Sequence, residues 1–202
     1  YVNAHNDLGT TLQELGRLEE AETSYRQAIY FKSDYAKAYY NLGNTLKDLS
    51  RLEEAEVSYR KAIALKPDYA LAHNHLGITL QDLGRLEASE ASYRKAIVVK
   101  SDYAEAIFNL SVVLDYMNNL DESVLLLENV LEIDKSNQGL KAAVHLAIFR
   151  FLENNYSDSK KLLLANQKIQ EKTSLKFQNQ KTYQDYLLKI LTHHEDKSLT
   201  YI

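Results

Sequence analysis

The chain has 202 residues, with 24 Lys or Arg against 28 Asp or Glu for a formal net charge of −4, and it holds six Gly, one Pro and no Cys. Thiol chemistry and disulfide stapling are excluded, and 26% charged with 45% hydrophobic residues fits a chain that builds a core. The densest apolar stretch, Val144 to Leu152, contains Arg150, so no run approaches the ~18–20 apolar residues of a membrane helix. No secretory leader is evident, which makes the cytoplasm the expected compartment and a membrane an unexpected partner.

In chain order, the first signal is Tyr1, which returns as Tyr35, Tyr69 and Tyr103 at intervals of 34. Residues 1–34 and 35–68 agree at 20 of 34 positions, and residues 69–102 keep the frame. Tyr1 holds the last place of a repeat whose other residues are not in the chain, so the chain is expected to be a piece of a longer array. Each unit predicts two helices. On the first, Leu8, Leu42, Leu76 and Leu110, with Leu12, Leu46, Leu80 and Leu114 four residues on, form an apolar stripe at helical spacing. Gly16, Ser50 and Gly84 follow that helix, where a left-handed residue closes it. On the second helix, Glu22 and Arg26, Glu56 and Arg60, and Glu90 and Arg94 stand four apart and predict solvent-side ion pairs. Asp34, Asp68 and Asp102 are expected to cap the next helix, and Pro67 to end the one before it.

Small residues recur where two helices must approach, Gly9, Gly43 and Gly77 on the first helix and Ala28, Ala62 and Ala96 on the second, while Tyr25, Tyr59 and Tyr93 fill the gaps. With the 34-residue period, this pattern strongly resembles the tetratricopeptide repeat family. The resemblance covers residues 1–136 as four repeats, approximately 2–35, 36–69, 70–103 and 104–137. Residues 137–171 read as a divergent fifth hairpin. Residues 172–202 read as a C-terminal capping helix and tail, with Phe177, Tyr183, Tyr186, Leu187, Ile190 and Leu191 on one face. The implied fold is an all-α, right-handed superhelical solenoid.

The implied function is a non-catalytic scaffold for protein–protein interaction, with an extended peptide held on the concave face that the first helices line. The family's inner-face positions, carried over, give as candidates Asn6 and Asp7; Tyr40, Asn41 and Asn44; Asn74, His75 and Ile78; and Phe108, Asn109, Val112 and Tyr116. Cations for a carboxylate clamp are missing from successive repeats. Asp7, Asn41, His75 and Asn109 follow, at two of four rungs, the Asn ladder that the repeats of O-linked N-acetylglucosamine transferase use on a peptide backbone. An Asn amide both donates and accepts, so it suits a backbone clip; the same amides can equally bond neighbouring helices. The inner face turns apolar towards Leu71, Ile78, Phe108, Val112 and Tyr116, a patch that calls for a cover. Tyr40, Phe108 and Tyr116 would be its aromatic anchors. An alternative role is the substrate-recruiting region of a larger enzyme such as a glycosyltransferase, and self-association through open repeat ends is a third.

Other chemistry has little footing. There is no phosphate loop and no nucleophile constellation; His5, His73 and His145 read as packing residues. The tract His193-His194-Glu195-Asp196 points its side chains apart, so neither metal nor cofactor is expected. Charge is uneven: residues 103–136 carry 1 basic against 7 acidic residues, and residues 137–202 carry 10 against 6. The basic residues are too dilute for nucleic acid to be an expected partner.

Overall fold

The computed structural model describes residues 1–134 together with Gly139, Ala142 and Leu146. Two compact units divide the chain, Tyr1–Val113 and Leu114–Ile202. Among the described residues there are eight α-helices and no strand: α1 (Val2–Glu14), α2 (Leu18–Phe31), α3 (Ala36–Asp48), α4 (Leu52–Leu65), α5 (Ala70–Asp82), α6 (Leu86–Val99), α7 (Ala104–Tyr116) and α8 (Leu120–Ile133). In the N-terminal unit α1 pairs with α2, α3 with α4 and α5 with α6, while α2 packs on α3 and α4 on α5 to join the hairpins into an all-α solenoid. Helices α1 and α3, and α3 and α5, also touch directly, so the first helices of the hairpins form the inner side of the stack.

Each hairpin closes on a glycine and a tyrosine. Tyr25, Tyr59 and Tyr93 are fully buried, and a Cβ built on Gly9, Gly43 or Gly77 would lie 2.6 Å from the ring of the tyrosine opposite. Only glycine leaves room for the ring. Burial of such a side chain removes roughly 150–250 Å² from water. Ala28, Ala62 and Ala96 are also fully buried, where bulk would push the helices apart.

The turns after the first helices share one hydrogen-bond pattern. The Gly16 N–H donates to the Gln13 carbonyl at 3.0 Å and the Arg17 N–H to the Leu12 carbonyl at 2.9 Å; the pairs Ser50 to Lys47 and Arg51 to Leu46, then Gly84 to Gln81 and Arg85 to Leu80, repeat it. This is a Schellman closure, which needs a left-handed residue. Gly16 and Gly84 supply it at φ 73° and 72°, and Ser50 adopts φ 61° without glycine's freedom.

Three expectations need correction. Asp34 and Asp68 do not cap: Tyr35 and Tyr69 hold the N-cap positions of α3 and α5, and neither helix has a side-chain cap bond. Those tyrosines lie instead beneath Lys32 and Lys66, whose Nζ atoms stand 5.6 and 5.1 Å from the ring centroids, and Lys100 repeats the arrangement over Tyr103 at 5.2 Å. Leu8 is 50% exposed, whereas Leu42 and Leu76 at the same place in the next two repeats are 4% exposed. Finally, the Glu–Arg pairs of the second helices are not confined to one helix. The Glu22 carboxylate is largely enclosed and accepts from Arg26 at 2.8 Å and from Arg51 of the next hairpin at 2.7 Å; Glu56 does the same with Arg60 and Arg85.

In the C-terminal unit, Ser123, Leu127 and Val130 are the buried face of α8. Asn118 at φ 60° makes the left-handed turn before it. Gly139, Ala142 and Leu146 are helical and buried. The rest of the predicted fifth hairpin, the terminal helix and the tract His193 to Asp196 lie outside the described residues.

Candidate functional site

The inner face is built by α1, α3 and α5 and the first part of α7, each offering the positions that stand 34 residues apart. Two of those positions are wired across repeats. The Asn41 amide donates to Asn6 Oδ1 at 3.0 Å, and Asn109 donates to Asn74 Oδ1 at 3.1 Å. Between them, Tyr40 Oη and His75 Nε2 meet at 3.3 Å. All three links join residues 35 apart, one repeat plus one residue. Gln13 extends the pattern by donating to Asp48 at 3.0 Å.

These links revise the site residue by residue. Asn6 and Asn74 are 0% exposed, so they carry the ladder from behind and present nothing to a ligand. Asn74 also donates to Tyr103 Oη and Glu105, both at 3.3 Å. Asn41, Asn44 and Asn109 are half-buried and Asp7 is exposed. Asn44 accepts from the Tyr59 hydroxyl at 2.7 Å, which brings a core phenol to the inner face. Phe108 is only 9% exposed and is core, not a surface anchor. Ile78 and Val112 are half-buried, and Leu71 is 44% exposed. Tyr116 is 70% exposed and belongs to the C-terminal unit.

An aromatic cluster occupies the junction of α3 and α5. The Tyr40 ring centroid lies 5.0 Å from Tyr69 and 6.0 Å from Tyr59, both tilted, and 5.2 Å from His75, edge-on. Burial raises the Tyr40 phenol pKa and pushes Tyr69 up to about 12. Burial drives His75 the other way, down to about 4, with Lys47 adding to the effect and Asp48 partly opposing it. Its Nδ1 is enclosed with no hydrogen-bond partner, so the protonated ring would bury an unsatisfied N–H. His75 is therefore a neutral packing and linking group at neutral pH. His5 stacks on Phe31 at 5.5 Å, and the His73 ring meets the Pro67 carbonyl at 2.9 Å, both as packing side chains.

Among the described residues, no three His, Cys, Asp or Glu side chains gather as a metal site, and no helix is long and apolar enough to cross a membrane. What the face presents is a polar surface stiffened from within, with apolar side chains set among half-exposed amides.

Comparison with known proteins agrees with this architecture. Family models described as tetratricopeptide repeat match residues 36–69, 70–103 and 104–137, and one described as TPR repeat matches residues 9–50. No curated protein sequence matches. Among solved structures, MamA is 20% identical with a TM-score of 0.73, over 82% of this chain and 96% of its own. A thermophilic TPR protein of Thermus thermophilus, TTC0263, is 18% identical with a TM-score of 0.69, over 93% and 99%. YrrB, described as a TPR protein with an unusual peptide-binding site, is 22% identical with a TM-score of 0.66, over 84% and 87%. These identities carry the fold alone. With the Gly–Tyr closures, the Schellman turns and the family matches running from residue 9 to residue 137, the chain belongs to the tetratricopeptide repeat family.

Proposed function

We propose that the chain is a non-catalytic interaction scaffold whose inner face receives an extended segment of another protein. The observation that carries this reading is the exposed Leu71, with the half-buried Ile78 seven residues on along α5, on the same series of first helices whose Asn41 and Asn109 amides are held in place by links between repeats. Asn41 and Asn109 each direct one N–H backwards and keep a carbonyl oxygen and a second N–H for a peptide backbone. An amide that is already oriented loses little freedom on binding, which favours affinity. The peptide-binding site described for YrrB, a protein of the same fold, supports a peptide as the class of partner.

The test is a peptide selected by phage display on the chain and measured by fluorescence anisotropy. Leu71→Glu, at an exposed position, should weaken it at least about tenfold, the equivalent of ~1.4 kcal/mol, without lowering the melting temperature, and Ile78→Glu should weaken it as much while also lowering the melting temperature, because it puts a charge at a half-buried place. Affinity unchanged in both variants would defeat the assignment. Asn41→Ala is a poor test, because it strands the buried Asn6 oxygen at a cost of about 1–3 kcal/mol.

A further inference from the structure

A cleft of about 450 Å³ opens between the second helices α4 and α6, with Leu76 and Leu80 of α5 at its floor. Its lining departs from the preceding repeat at four positions. Six of the ten lining positions carry the same residue 34 places earlier, and the other four shrink: Tyr30 becomes Ala64, Tyr39 becomes His73, Glu54 becomes Ala88 and Val57 becomes Ala91. At the earlier junction the larger side chains stand mostly in solvent, Tyr30 at 81% and Val57 at 68% exposure, so they raise the rim, whereas alanines leave the later rim low.

The exchange of Glu54 for Ala88 also alters the charge at the rim. At the earlier junction, Glu22 and Glu54 face Arg26 and Arg51, with Glu54 at 3.7 and 2.6 Å from the two guanidinium groups. Two anions balance two cations. At the later junction Arg60 and Arg85 share Glu56 alone, at 2.9 and 2.8 Å, and both remain about half exposed. Lys95 lies on the same rim, exposed. The rim is therefore short of one carboxylate, at a place whose geometry the neighbouring repeat displays.

We propose that this cleft is a second docking site, distinct from the inner face, for an acidic and apolar segment of a partner protein. A partner carboxylate takes the place that Glu54 holds at the earlier junction, between Arg60 and Arg85. The adjoining leucine or phenylalanine enters over Ala64, Ala88 and Ala91. Lys95 draws the acidic flank and makes the association sensitive to salt.

The test uses a fluorescein-labelled, amidated hexapeptide, Asp-Glu-Leu-Phe-Asp-Glu, with two controls, one with Asn and Gln for the acids and one with Ser for Leu and Phe. Saturable binding that weakens at least about tenfold in each control, and in Ala88→Glu and Ala64→Tyr, supports the site; a tenfold change is ~1.4 kcal/mol. Both variants transplant residues that the preceding junction already accommodates, and Lys95→Ala, on an exposed position, should weaken binding several-fold with no change in melting. Backbone NMR shifts should fall on His73, Ala88 and Ala91, and Leu71→Glu should leave the affinity unaltered. Absence of saturable binding, binding that survives Ala88→Glu, or shifts centred on Asn41 and Leu71 would overturn the assignment.

Discussion

Acidification from pH 7 to pH 5 should weaken the N-terminal unit through one side chain, His75. In the folded chain its ring is enclosed against Tyr40 and Tyr59, its Nε2 faces the Tyr40 hydroxyl at 3.3 Å, and its Nδ1 has no partner. The folded pKa of about 4 stands against 6.5 for the free side chain. Between those values the unfolded chain binds a proton that the folded chain refuses, so stability falls as pH drops through 6.5 and the loss levels off below about 4. The difference between pH 7 and pH 5 is then about 2 kcal/mol. Urea denaturation followed by circular dichroism at both pH values would measure it, with His75→Asn as reference, since Asn is the residue that Asn41 and Asn109 place at the same rung. Carboxylates such as Glu20 and Glu54, held low by hydrogen bonds from Arg17 and Arg51, titrate in both proteins and cancel. The variant starts less stable but should lose about 2 kcal/mol less than wild type over that interval. An equal loss in the two proteins would show that His75 does not carry the effect.

Gly43→Ala should destabilise the unit by about 1–3 kcal/mol despite alanine's better helix propensity, because the new methyl meets the fully buried ring of Tyr59 at 2.6 Å; thermal melts would check the sign. Ser50→Gly should raise stability by roughly 0.5–1 kcal/mol, since glycine adopts φ 61° without the Cβ penalty and repays part of that gain in unfolded-chain entropy; a neutral or negative change in urea midpoint would refute it. Tyr59→Phe should cost about 1 kcal/mol through the lost bond to Asn44 and should also loosen the inner face around Tyr40, visible as line broadening of the Asn44 side-chain amide.

Much of the fold was legible in the sequence because its determinants are local and recur. A glycine opposite a tyrosine and a left-handed residue after each first helix are decided by a few neighbours. The misreadings involve contacts between repeats. Asn6 and Asn74 occupy the same helical position as Tyr40 and Phe108, and helical spacing places all four on the inner side. Their burial follows from how closely the next first helix approaches, which the period does not specify. Glu22 was legible as a partner of Arg26 four residues on, but not of Arg51, 29 residues away. Asp34 looked like a cap by residue type, yet the chain enters α3 one residue later, at Tyr35. The carboxylate missing beside Arg60 and Arg85 was open to discovery by aligning the units at Glu54 and Ala88.

The links between residues 35 apart bear on how such an array can be rearranged in evolution or in the laboratory. Asn meets Asn, Tyr meets His, and Asn meets Asn again, so adjacent seams carry different couples although the backbones are near copies. Excising residues 36–69 would bring His75 to the station opposite Asn6 and leave that couple mismatched. Removing a single unit therefore breaks the alternation of locks and keys, and the order of neighbouring modules is part of what the chain encodes.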